Sequence, residues 1–115
     1  MEGIRLKRVE EQVRSEVAAL LLRGEIKDPR VNTFLSITRV ELARDGSHAK
    51  LYVSTFQDPS ELEQSVIGLN KAAGYIQSAL AKRIHIRLTP KLVFIADTGI
   101  KEGFELGEKL KDLLS

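Results

Sequence analysis

Few residue types in this chain could carry chemistry, and their spacing narrows the choice further. The two histidines, His48 and His85, are far apart and show no metal-ligand spacing. There is no cysteine, so disulfides, thiolate chemistry and cysteine-built zinc sites are excluded. No Gly-x-Ser-x-Gly elbow, Walker loop or dinucleotide fingerprint occurs. Glu10 and Glu11 fall on the polar side of an amphipathic helix, where solvation accounts for them. The expectation is a protein that is not an enzyme, with no cofactor, no metal and no small-molecule substrate. What remains is charge. Net charge is only +2, yet no acidic residue lies between Glu63 and Asp97, where Lys71, Lys82, Arg83, Arg87 and Lys91 all fall. Such segregation fits a polyanion partner, and charge alone fits a solvated face equally well.

The centre of that basic stretch is Ala72-Ala73-Gly74. Apolar periodicity runs up to it through Leu62, Val66 and Leu69 and resumes with Ile76 and Leu80. A glycine there costs about 1 kcal/mol against alanine in a regular helix, which predicts two helices meeting at a break. The second helix then presents backbone N–H groups and the positive end of its dipole, a natural phosphate site, and small side chains let a nucleic-acid backbone approach. The plain reading is that Ala72 and Gly74 only permit tight helix packing. If the break needs a residue without a side chain, Gly74→Val should impair folding or docking.

The surrounding elements follow from pattern. Leu6, Val9, Val13, Val17, Leu20 and Leu21 make one stripe on a helix from about Arg5 to Arg23, with Gly24 as C-cap. A hairpin follows, Phe34 to Leu42 and His48 to Phe56, turning at Arg44-Asp45-Gly46-Ser47. Leu35 and Ile37 share one parity and Val40 and Leu42 the other, so a β-bulge near Arg39 is required to keep them on one face. Asp58-Pro59-Ser60-Glu61 reads as a helix start with a capping box. Ile84, Ile86 and Leu88 alternate as extended chain, and Lys91 to Ala96 reads as a strand buried on both faces. A short helix from Ile100 to Leu114 closes the chain, with Phe104, Leu110 and Leu114 able to dock on the core. The expected class is α+β: one domain spanning 1–115, its core about 5–97, its last helix about 100–114, and a three-stranded sheet packed on helices. The charged N-terminus gives no signal peptide and no apolar run reaches membrane-span length, so a cytoplasmic, membrane-free monomer is expected.

The order α-β-β-α-kink-α-β resembles the type II KH arrangement, in which a Gly-x-x-Gly loop between two helices holds RNA. This chain has no Gly-x-x-Gly and carries Ala72-Ala73-Gly74 at the equivalent junction. That departure resembles ribosome-binding factor A, whose KH-like domain has an Ala-x-Gly kink instead. The same family is resembled in Arg5-Leu6-Lys7-Arg8-Val9, Ile37-Thr38-Arg39-Val40-Glu41-Leu42, Ala73-Gly74-Tyr75-Ile76-Gln77 and Arg83 through Leu92, in order along nearly the whole chain. The resemblance implies a maturation factor that binds free 30S subunits and 16S rRNA, supports late assembly and 16S rRNA processing, and is associated with growth in the cold. By position it implies RNA contacts at Lys71, Ala72, Ala73, Gly74, Lys82, Arg83, Arg87 and Lys91, with Arg5, Lys7 and Arg8 on the first helix as a second set. The competing reading is a protein–protein adaptor docking a ribosomal protein or another assembly factor through the hairpin edge.

Overall fold

A computed structural model describes residues 3–31, 34–55, 59–86 and 88–97. Helix α1 (Gly3–Leu22) buries Val13, Val17, Leu20 and Leu21. It ends in a Schellman motif. Gly24, at φ +66°, donates its N–H to Leu21 O, and Glu25 donates to Leu20 O. Strands β1 (Ser36–Leu42) and β2 (His48–Ser54) pair antiparallel, and β3 (Lys91–Ala96) joins β2 in parallel, giving the sheet order β1-β2-β3. Helices α2 (Pro59–Lys71) and α3 (Ala73–Arg83) form the crossover between β2 and β3. All three helices lie on one side of the sheet, and Leu51, Val53, Leu69, Ile76, Leu80 and Phe94 sit at the centre of the core.

The bulge demanded by the parity slip is present. Ile37 pairs with Val53 and Arg39 with Tyr52, so Thr38 is the extra residue, and Ile37, Val40 and Leu42 all face inward. The Thr38 hydroxyl lies 2.6 Å from an Asp97 carboxylate oxygen and 3.2 Å from Tyr52 O. The bulge therefore ties β1 across β2 to the end of β3.

Both sheet edges receive a polar side chain from a helix. At the β1 edge, the Glu10 carboxylate accepts the Leu42 N–H at 2.8 Å. The expectation that solvation accounts for Glu10 is thus corrected: it closes a backbone donor that β2 cannot reach. At the β3 edge, Asn70 on α2 accepts the Phe94 N–H at 2.8 Å and donates to Phe94 O at 3.0 Å. An exposed edge invites pairing with another chain, and such side chains blunt it.

One further expectation is corrected. β3 is buried on one face only: Leu92 and Phe94 point into the core, while Lys91 and Val93 are exposed because nothing among the described residues covers the outer face of the sheet. Ile84 leaves α3 in the extended conformation expected there, at φ −113° and ψ 124°, and Gln77 anchors the segment that follows by donating to Thr89 O at 3.2 Å. Pro59 opens α2 as expected, whereas Asp58, Phe56 and the C-terminal helix lie outside the described residues.

Candidate nucleic-acid interface

The junction between α2 and α3 is a single residue. Ala72 leaves the helical conformation, at φ −87° and ψ 1°, and no side chain caps the new helix. The helical ladder nevertheless continues on both sides: Ala72 donates to Gly68 O, and Ile76 donates to Ala72 O. The N–H groups of Ala73, Gly74 and Tyr75 precede the first bond inside α3. Ala72 and Ala73 are half-buried against the core, so their small side chains serve packing. Gly74 is exposed within the first turn of α3 and has no positive φ. A Cβ added there would meet nothing within 4 Å. The fold therefore does not require Gly74, contrary to the expectation for Gly74→Val folding; its bareness is a property of the surface.

The glycine that the fold does require is Gly68. A Cβ there would fall 2.9 Å from Val31 Cγ2 and 3.1 Å from the Asp28 carboxyl group. Its absence lets α2 press on the loop after α1, where buried Ser65 also donates to Arg30 O at 2.9 Å. In that loop the Arg30 N–H and guanidinium both bond Asp28, and they lower its pKa from the ordinary 3.8 to about 2.

The structure divides the sequence-predicted site residues. Lys71 ends α2 and Lys82 lies in the last turn of α3; both are exposed, and neither forms an ion pair among the described residues. Their positions also suit the negative ends of the two helix dipoles. Arg83 is partly committed elsewhere, with its guanidinium 3.9 Å from both Glu16 and Glu25. Lys91 is on the outer face of the sheet beside His48, away from the helices. Arg5, Lys7 and Arg8 are exposed on the early turns of α1, just before the Glu10–Leu42 contact. Arg87 lies outside the described residues. The acid-free stretch of sequence is thus not one acid-free surface, because α1 and its loop bring Glu16, Glu25 and Asp28 alongside it.

Two residues that the charge pattern passed over belong to this surface. Tyr75 is 56% exposed; it lines one concavity with Lys71 and, seven residues before Lys82 on α3, a second with that lysine. Lys27 faces them from the loop after α1, across a concavity of about 410 Å³ lined also by Glu25, Asp28 and Ala72. Helical spacing back from Lys82, seven residues along the same helix, would have found Tyr75.

No three His, Cys, Asp or Glu side chains gather as a metal site among the described residues. Asp45, Ser47 and His48 do meet in the hairpin turn, but as a turn lock. Asp45 accepts the Ser47 N–H and hydroxyl, at 3.0 and 2.6 Å, and His48 Nδ1 lies 2.9 Å from that hydroxyl. A nucleophile's base needs the carboxylate behind it; here the carboxylate holds the serine.

A sequence profile described as Ribosome-binding factor A matches residues 5–110. The chain belongs to this family. Ribosome-binding factor A of Treponema denticola is 48% identical over 113 residues, covering 98% of this chain and 86% of that one. The Heliobacterium modesticaldum protein of the same name is 41% identical, covering 98% and 92%. The crystal structure of ribosome-binding factor A from Thermus thermophilus superimposes with a TM-score of 0.67 at 30% identity, covering 79% of this chain and 94% of that one. Coordinates of a Thermus thermophilus ribosome binding factor A fitted into a cryo-EM map of a 30S complex match with a TM-score of 0.55 at 28% identity, over 73% and 90%. The KH-like arrangement expected of a ribosome-binding factor A is therefore present, with the elbow at Ala72 where a KH domain carries its Gly-x-x-Gly loop. No helix among the described residues is long and apolar enough to cross a membrane.

Proposed function

We propose that this protein binds the free small ribosomal subunit through 16S rRNA and supports its late assembly and 16S rRNA processing, acting as a non-catalytic, monomeric, single-domain factor in the cytoplasm. Family membership supports the ribosomal setting, and the 30S complex of the Thermus protein supports the particle. The observation that carries the rRNA reading is the elbow surface. There an exposed bare glycine and uncapped N–H groups lie between two lysines that form no ion pair among the described residues. Such a surface neutralises phosphates and reads backbone shape, with base edges left unread. Lys71, Gly74 and Lys82 are its centre. Ala72 and Ala73 form its support, Arg83 and Arg87 its extension, and Arg5, Lys7 and Arg8 a second patch. Lys91 would serve only a contact made by the outer sheet face.

The adaptor reading through the hairpin edge is less favoured, because Glu10 already occupies the Leu42 N–H there. A salt titration with purified 30S subunits separates the two. Binding through phosphates weakens steeply as salt rises, by close to one power of salt concentration for each phosphate neutralised. A response flat in salt would overturn the rRNA reading.

A further inference from the structure

We propose that Tyr75 is a stacking platform for a single unpaired nucleotide of the bound RNA, an inference that rests on the rRNA-binding reading above. The ring stands on a ridge between two concavities. One, of about 410 Å³, is lined by Glu25, Lys27, Asp28, Lys71 and Ala72. The other, of about 440 Å³, runs along α3 past Ser78 and Ala79 to Lys82 and Arg83, with Glu25 also on its wall. Among the described residues Tyr75 makes no ring contact and no hydrogen bond, so its face is available. Exposure of an aromatic ring to water is unfavourable unless something covers it, and every base has a π-face that can.

The charges around the ring orient the ligand. Glu25 lines both concavities and Asp28 the first, where Lys27 and Lys71 stand beside them, so phosphates are drawn to the lysines rather than to the carboxylates. Lys71 stands beside the first concavity and Lys82, seven residues past Tyr75 on α3, beside the second. A strand passing from one concavity to the other over the ridge places its phosphates on the lysines and leaves its base over the tyrosine. Ser78 and Ala79 are small, so no bulky side chain on that stretch of α3 obstructs the path. Gly74 beside the ring adds no Cβ to the approach. The occupant is a nucleotide flipped from, or lying between, structured segments of the rRNA. Sequence preference is weak, because stacking discriminates little among bases.

The test measures 30S affinity across a salt series for the full chain and for Tyr75→Phe and Tyr75→Ala. Each variant is first shown to melt like the parent. Tyr75→Ala is expected to weaken binding about tenfold with an unchanged salt slope, since no phosphate contact is lost, and Tyr75→Phe to stay within about twofold. On the unmodified chain, single-stranded oligoadenylate should move the Tyr75 ring proton resonances upfield, and inorganic phosphate should not. Full binding by Tyr75→Ala overturns the platform while leaving salt-dependent rRNA binding standing. So does equal loss in the phenylalanine variant, which would assign the effect to the hydroxyl. Loss of 30S binding in Tyr75→Ala without any oligoadenylate shift would mark a contact to a ribosomal protein and overturn the nucleotide assignment. Parent binding insensitive to salt would remove the reading beneath it as well.

Discussion

The chain has two tyrosines, and they occupy opposite situations. Tyr52 lies on the outer face of the sheet with the Arg39 guanidinium 4.2 Å over its ring and its hydroxyl 3.4 Å from Glu41. Arg39 in turn pairs with Glu41 at 3.2 Å, so ring, cation and acid satisfy one another across β1 and β2. Tyr75 lies on the helical side with an open face and two lysines that have no ion-pair partner among the described residues. Both surfaces contain an aromatic ring and basic residues, and composition would score them alike. The difference is in what is already engaged. The sheet face uses Tyr52 and Arg39 internally, whereas on the helical face the ring and the two lysines form no ring contact or ion pair among the described residues.

The strongest way to break this contrast is to remove charge from each face in turn. Lys71→Ala with Lys82→Ala should lower 30S affinity at least tenfold at moderate salt and reduce the slope of log affinity against log salt by about 1.5. Lys50→Ala with Lys91→Ala, on the sheet face, should change affinity less than about threefold. Equal losses would erase the distinction between the two faces.

The two helix glycines sharpen it next. Gly68→Ala forces Val31 and the Asp28 loop to move and should cost about 1–3 kcal/mol in urea unfolding. Gly74→Ala should leave stability unchanged or raise it by up to about 1 kcal/mol, because the space is open and alanine favours helix. Its 30S affinity should nevertheless fall, since the new methyl group stands where a backbone approaches. Tyr52→Ala should do the reverse, costing about 1 kcal/mol of stability through the lost ring contacts while subunit affinity holds. The smallest effect is a pH dependence. Arg30 holds the Asp28 pKa near 2 against an ordinary 3.8. A depressed carboxylate pKa means its stabilisation is complete above about pH 4 and is lost as pH falls toward 2. Acid melting of Asp28→Asn should therefore show a shallower decline over that window than the parent chain.

Much of the fold was legible because it repeats. The stripe of α1, the cap at Gly24 and the two periodic runs meeting at Ala72 are local signals. The parity slip at Ile37–Val40 is the best instance, since a single extra residue is the only way to keep both pairs inward. What stayed hidden depends on single contacts between distant segments. Glu10 and Asn70 meet backbone groups 32 and 24 residues away and leave no periodic trace. In the candidate site, linear charge singled out Lys71, Lys82 and Lys91 alike, but it could not say that Lys91 faces the other side of the sheet. Its opposite parity to inward Leu92 and Phe94 held that information, masked by the apolar run Leu-Val-Phe-Ile. Nor could it show that Glu16 and Glu25 would come from α1 to meet Arg83.

At Ala72 the helical ladder stops and at once restarts: Ala72 donates to Gly68 O and accepts from Ile76, while the N–H groups of Ala73, Gly74 and Tyr75 stand outside the i to i−4 ladder. A loop in that position would have to be ordered by each partner it met, at a cost in entropy charged against affinity. A hydrogen-bonded bend anchored in the core arrives already set. Under the proposed rRNA-binding function it would work as a fixed gauge: the backbone that carries the lysines and the ring is set before contact, and rRNA that had not yet taken the matching shape would meet a surface that does not mould itself to fit.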